Sequence, residues 1–238
     1  IIIPREGGGG AQNYGFTNTG SIGGSVTGGT LQIGSAATPA GQTMILNTSY
    51  PIGNLSINSA NATASLVTSP LTVIRNVNIN SGSLRTTTLD INVGGNWFDA
   101  GTFVPGNATV NFNSTSAQTI FKAGGETFNN LTFSNAGVKT FSSAITASIA
   151  TINSGASVDV GTANNQLTLR SHFLNSGTFN ARSGLVFFNG TTSQSIGGTS
   201  TTNFFDITLN NNAGAILNNS ENLIGTLTLN NGTFNTNA

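Results

Sequence analysis

The 238-residue chain contains no cysteine. That excludes disulfides, thiolate metal sites and a cysteine nucleophile. Charge is scarce as well: 6% of residues are charged, against about 25% in ordinary soluble domains. Seven basic residues balance seven acidic ones, so the surface has no field that draws phosphates, and nucleic acid is not an expected partner. Nor is there a basic patch for anionic membranes. No apolar run approaches the roughly 18 residues of a membrane span. His172 is the single histidine, too little for a zinc site without cysteine. Without a G-x-S-x-G word, a serine hydrolase has no support either. The chain opens Ile-Ile-Ile-Pro-Arg, with neither initiator Met nor signal peptide, and is expected to be a processed or excised piece of a longer protein.

What fills the space left by charge is Gly (31 residues), Asn, Thr and Ser. Such a composition reads as disorder unless apolar content opposes it. Here 37% of residues are hydrophobic, 15 of them Phe, and they recur in alternating patterns that disordered chains lack.

The main feature is an internal repeat. Gln42, Gln118 and Gln194 stand in "QTM", "QTI" and "QSI", with equal intervals from the first to the second and from the second to the third. Leu55, Leu131 and Ile207 repeat at the same interval, in "NLSIN", "NLTFS" and "DITLN". "AGTF" at 100–103 returns at that interval as "SGTF" at 176–179. Three copies follow, at about 14–88, 89–166 and 167–238. Residues 1–13 read as a linker or N-terminal edge segment, with Gly7–Gly10 its flexible part.

Within each copy, short words such as "ATVNFN", "QTIF" and "NNLTF" alternate apolar and polar residues, the signature of strands. Asn-Gly and Ser-Gly clusters separate them as turns. No sustained helical period is present. Closely spaced strands without crossover helices predict an all-β fold, a parallel β-helix (β-solenoid) in which each strand pairs with its counterpart one coil later. Stacking explains the composition: identical charges on successive coils repel, whereas Asn, Thr and Val ladders reinforce one another. Known solenoid repeats of about 19 or 25 residues would give four or three coils per copy. A row of small β-sandwiches is the rival, disfavoured because each copy lacks the Cys and Trp anchors of such domains.

The candidate sites are few. By alternation Gln118 shares a face with Ile120, so the three Gln side chains are expected to point inward and to bond backbone groups at coil corners, since buried amides are paired. Trp97 aligns with Phe173. Exposed, it could stack on a sugar ring; as the head of a repeated apolar word it is expected in the core. Thr132, Thr168, Thr208 and Thr228 lie between apolar neighbours and are expected to face outward. A flat threonine ladder could meet a carbohydrate lattice or ice. The acids Glu6, Asp90, Asp99, Glu126, Asp159, Asp206 and Glu221 form no paired-carboxylate motif, as glycoside cleavage requires, and read as solvated surface charge. No catalytic residue, metal site or cofactor is expected.

The words "GNWFDAGTF", "ATVNFNSTSAQTI" and "ETFNNLTFSN" resemble the tandem-repeat segments of Bacteroidetes secreted and cell-surface adhesin-like proteins. The resemblance runs from about Gln42 to the end and is closest in the second copy; in the third, "SHFLNSGTF" replaces "GNWFDAGTF". It implies a β-helical passenger of type IX secretion cargo, extracellular or on the bacterial surface. Such a passenger is a rigid non-enzymatic stalk or adhesin. Its partners would be flanking coils or domains of the same longer chain, with other surface proteins or glycans beyond them. A carbohydrate-binding β-helix module is the alternative reading, and a polysaccharide-degrading β-helix a third. The C-terminal "LTLNNGTFNTNA" stops inside a repeat word, so further coils or a partner are expected to cover that edge.

Overall fold

The computed structural model describes residues 1–4, 15–19 and 26–236. The linker reading of Gly7–Gly10 therefore lies outside the described residues. Every regular element described is a β-strand, and the strands pair in parallel as a β-solenoid. Two compact units result, Ile1–Asn111 and Phe112–Ala238.

In the first unit each coil supplies strand to three faces. Leu31, Leu55, Val77 and Trp97 follow one another in register on the first face. Met44, Ala64, Leu84 and Phe103 do so on the second, and Ile52, Val73 and Val93 on the third. All of them are buried. The 15-residue strand Ile52–Leu66 runs through all three faces: it pairs with Val73 at its start, Val77 to Ile79 in its middle and Gln42 to Leu46 at its end. Alternation makes this work. Successive side chains point to opposite sides of a strand, so every second apolar residue enters the coil interior and meets its equivalents above and below. At one corner the Asn54 Oδ1 accepts from the Asn76 backbone N–H (3.2 Å), and the Asn76 Oδ1 from the Asn96 N–H (2.8 Å). Ile2–Ile3 forms a short strand on Gln32 and Ile33.

The second unit repeats the plan. Its second face is a sheet of six strands, with Ile145, Leu167, Val186, Ile207 and Leu227 in one row. Leu131, Ala150, Phe173, Ile196 and Leu217 form a row on the third face. The first face carries Gln118, Lys139, Val158 and Phe179. Phenylalanines fill the wider parts of the interior: Phe133 lies 6.1 Å from Phe112 and 5.8 Å from Phe141, ring centre to ring centre.

The coils correct the expected ratio of coils to repeats. Along the second face, partners step from Glu126 to Ile145, Leu167, Val186, Ile207 and Leu227. The steps are uneven and advance by about 20 residues per coil, at the short end of solenoid periods. Twelve strands run from Gln118–Lys122 to Gln194–Gly197, which is eleven steps, or three coils and two further faces. One copy of the repeat is therefore neither three coils nor four. Gln118 falls on the first face, opposite Lys139, and Gln194 on the third, opposite Ala215. Leu131 and Ile207 are displaced in the same way, from the third face to the second. The repeated unit is the strand with its corner, and any of the three faces accepts it.

Candidate functional site

Gln194 is fully buried at a corner of the second unit. Its Nε2 donates to the carbonyls of Leu169 (3.0 Å) and Ser171 (2.9 Å). Its Oε1 accepts from the Gly190 N–H and the Asn211 Nδ2, both at 3.0 Å. Gln118, also buried, accepts the Ser114 N–H at 2.9 Å. Gln42 is half-buried, in register with Ala62. Leu55, Leu131 and Ile207 belong to the core.

Trp97 is 1% exposed, and its ring meets Phe103 edge-on at 4.8 Å. Phe173 and Phe179, their equivalents in the next copy, meet edge-on at 5.3 Å. Trp97 is therefore a packing residue and cannot stack on a sugar. The threonines separate. Thr168, Thr208 and Thr228 lie in one outward row of the second face, together with Thr127, Thr146 and Phe187. Thr132 lies on the third face opposite Thr151. They do not form a single flat array, because two-face rotation between copies sends equivalent positions to different faces.

Glu6 lies outside the described residues; the other acids are not merely solvated surface charge. Asp99 and Glu126 are 1% and 2% exposed. The Asp99 Oδ1 accepts the Gly101 N–H (2.7 Å), and the Glu126 Oε1 the Thr127 N–H (2.9 Å). Asp90 accepts from Thr109 (2.7 Å), Asp206 from Thr226 (2.8 Å), and Glu221 from Thr202. Each carboxylate satisfies a backbone donor in its own turn or on a neighbouring coil, because buried N–H groups must be paired. Burial pushes the Glu221 carboxyl above its ordinary range, and its Oε1 is buried without a partner. His172 is half-buried, and its Nδ1 accepts the Ser195 N–H at 3.0 Å. Among the described residues no three His, Asp or Glu side chains converge as for a metal ion.

Two arrangements escape a linear reading. Lys139 is wholly buried and its ammonium donates to the carbonyls of Ser114 (3.1 Å), Asn135 (2.7 Å) and Ser134. Burial lowers its pKa from 10.5 to about 8. The only early signal was parity: Phe141 points inward, so the residue two before it does too.

The second arrangement lies outside the first face. Asp159 and Arg182 belong to adjacent coils and meet in a fork, with Arg182 Nη2 donating to Asp159 Oδ2 at 2.8 Å and Nε to Oδ1. The guanidinium bonds hold the Asp159 carboxyl below the usual carboxylate range. The pair stands between two hollows and lines both. One, of about 490 Å³, includes Ser157, Thr178, Asn180 and Asn203. The other, of about 290 Å³, includes Thr140, Gly161 and Asn165. No protein-family model, curated protein or solved structure matches the chain.

Proposed function

We propose that the chain is a non-enzymatic structural and adhesive repeat segment of a bacterial secreted or cell-surface protein, a rigid solenoid that displays or spaces other modules. The observation that carries the reading is the way corners are tied. Asn54 and Asn76 link successive coils in the first unit; Gln194, Asn211 and Lys139 do the same work in the second. These polar side chains are spent on backbone groups of the coils themselves. That supports a mechanical role, since each coil buries its apolar face only against its neighbours and stability accumulates along the stack. The carboxylates named above likewise hold backbone N–H groups, which supports a holding role over a catalytic one.

The reading is tested by pulling the chain from its two ends in single-molecule force measurements. A load-bearing solenoid should unravel in steps of one coil, about 20 residues or roughly 70 Å of contour, at a sustained force. Smooth extension at low force would sink the scaffold role. Protease shaving of intact cells of the source organism tests the surface location; a chain protected in intact cells and cleaved only after lysis counts against it.

A further inference from the structure

The two hollows beside Asp159 and Arg182 run along one face of the second unit and share that ion pair. Their walls come from successive coils: Val138, Ser157 and Thr178 lie in one outward row, and Thr140, Asp159 and Asn180 in the next. We propose that this groove binds a neutral glycan chain.

The chemistry of the lining decides the ligand class. Arg182 is neutralised by Asp159, so the groove offers no net charge to a phosphate, a sulfate or an acidic sugar. The strands beneath it are paired on both sides: Val138–Phe141 and Thr178–Asn180 flank Ser157–Asp159 in register. No backbone edge is free there for an added peptide strand, which removes the commonest way an extended peptide is held. What the walls present is hydroxyls and carboxamides. The Asn203 Oδ1 accepts from Asn222 at 2.8 Å, which leaves its own amide hydrogens directed elsewhere. The bonds that tie this corner are made by Gly161, Asn180 and Arg182 on Asp159, while Ser157 and Thr178 stand in register in the outward row beside them. Val138 (40% exposed) and Ile224 (68%) add apolar surface suited to the C–H faces of sugar rings. A concave site with few convergent polar groups of both donor and acceptor kind is the usual form of a small-ligand pocket.

A second observation points the same way. Arg182 adopts φ +49°, the left-handed region that a side chain other than Gly occupies at a cost. The turn is held by two side-chain acceptors, Asn180 Oδ1 for the Arg182 N–H (3.3 Å) and Asn164 Oδ1 for the Ser183 N–H (3.1 Å). Asn135 and Asn164 take the same region at other corners; at Arg182 it aims the guanidinium down onto Asp159 and fixes the floor between the hollows.

The inference does not rest on the scaffold reading, since a folded rod with an inert groove would overturn it and leave that reading untouched. The full chain is applied to an array of neutral and acidic glycans, then titrated calorimetrically with cellohexaose, xylohexaose and chitohexaose. Binding to at least one neutral oligosaccharide is expected. The double variant Thr178→Val, Asn203→Ala should weaken it at least about tenfold, as loss of two direct polar contacts does, with only the small drop in melting temperature that loss of the exposed Asn203–Asn222 bond entails. Asp159→Asn should weaken it as well. Absence of neutral-glycan binding, capture of acidic glycans alone, or an affinity indifferent to the double variant would each overturn the proposal.

Discussion

Lys139 lies over Gln118 in one inward row, and the two side chains grip the same residue from opposite sides: the Lys139 ammonium donates to the Ser114 carbonyl at 3.1 Å while the Gln118 Oε1 accepts the Ser114 N–H at 2.9 Å. The turn at 114 is thereby satisfied without water. Lys139→Ala would take the donor from the Ser134 and Asn135 carbonyls, leave the Ser114 carbonyl only its long bond from the Gly137 N–H (3.3 Å), and open a cavity where the buried side chain lay. The expected loss is about 2–4 kcal/mol, from the lost charge-assisted bonds and the cavity. Urea midpoints read it directly; a loss below about 1 kcal/mol would show that the carbonyls find other partners.

The same lysine makes stability depend on pH in the alkaline range. Its pKa is about 8 in the fold against 10.5 for an ordinary lysine. Below about 8 both folded and unfolded chains hold the proton, and this residue adds no slope. Between about 8 and 10.5 the unfolded chain binds more protons than the folded one, so stability rises with pH there and levels off above. Urea midpoints from pH 7 to 10 should climb for the wild type and stay level for Lys139→Met. A flat wild-type profile would mean that the three carbonyls keep the ammonium charged as strongly as water does.

Gln194 gives a sign as well as a size. Gln194→Ala leaves the Gly190 N–H and the Ser171 carbonyl unpaired and takes one bond each from the Asn211 amide and the Leu169 carbonyl, which keep Thr192 and Asn189, for an expected loss of about 2–4 kcal/mol. Gln194→Glu keeps the shape but turns the donor that meets Leu169 and Ser171 into a second acceptor, so it should cost more than the alanine variant at pH 7 and less as the pH is lowered toward 4. Equal losses for the two variants, independent of pH, would show that only packing matters at this corner. Gln42, half-buried, should lose less on substitution by alanine.

The strands and the repeat were legible because both are local. Alternation around Val110 and Phe112, or Leu167 and Leu169, follows from the pleat alone, and near-identical words at a constant interval need no structure to be seen. The inward Gln118 followed from its parity with Ile120. The rotation of successive copies by two faces was not legible. Leu131 and Ile207 sit in equivalent words whichever face they occupy, and the coils between them are unequal in length. That variation also hid the Asp159–Arg182 pair, whose spacing matches no fixed period. Lys139 was hidden for another reason. In "VKTF" hydropathy would place Val138 inside and Lys139 outside, and the register set by Phe141 reverses both: Val138 is 40% exposed and Lys139 buried.

Glycines at corners divide into two kinds that substitution should separate. Gly82 has φ +76°, and a Cβ there would lie 2.2 Å from the Ser59 carbonyl and 2.4 Å from that of Ala62. Gly155 has φ +78° with nothing within 4 Å of a Cβ. Gly155→Ala carries only the conformational cost of the left-handed region, about 1 kcal/mol. Gly82→Ala adds a clash with backbone that the coil beneath cannot yield, for about 3 kcal/mol or more. Similar melting temperatures for the two variants would mean the coils can separate locally at little cost.

The last coil of the second unit leaves its interior open. Leu227 and Leu229 stand in register on Ile207 and Leu209, whose rows are buried, yet they are 43% and 51% exposed; Leu223 is 39% and Ile224 68% exposed. Beside them lies a hollow of about 120 Å³ lined by Phe204, Leu217, Phe234 and Glu221. Open parallel edges with apolar side chains recruit further strands. The chain should therefore associate with itself as concentration rises. The association should be insensitive to salt, because the contact is apolar and the chain carries no net charge. Sedimentation velocity from micromolar to near-millimolar concentration reads this. The pair Leu227→Lys, Leu229→Lys places charges in the open rows, where identical neighbours would repel, and should hold the chain monomeric. A wild-type chain that stays monomeric throughout would show that this edge is not sticky, and association that persists in the double lysine variant would move the contact elsewhere on the molecule.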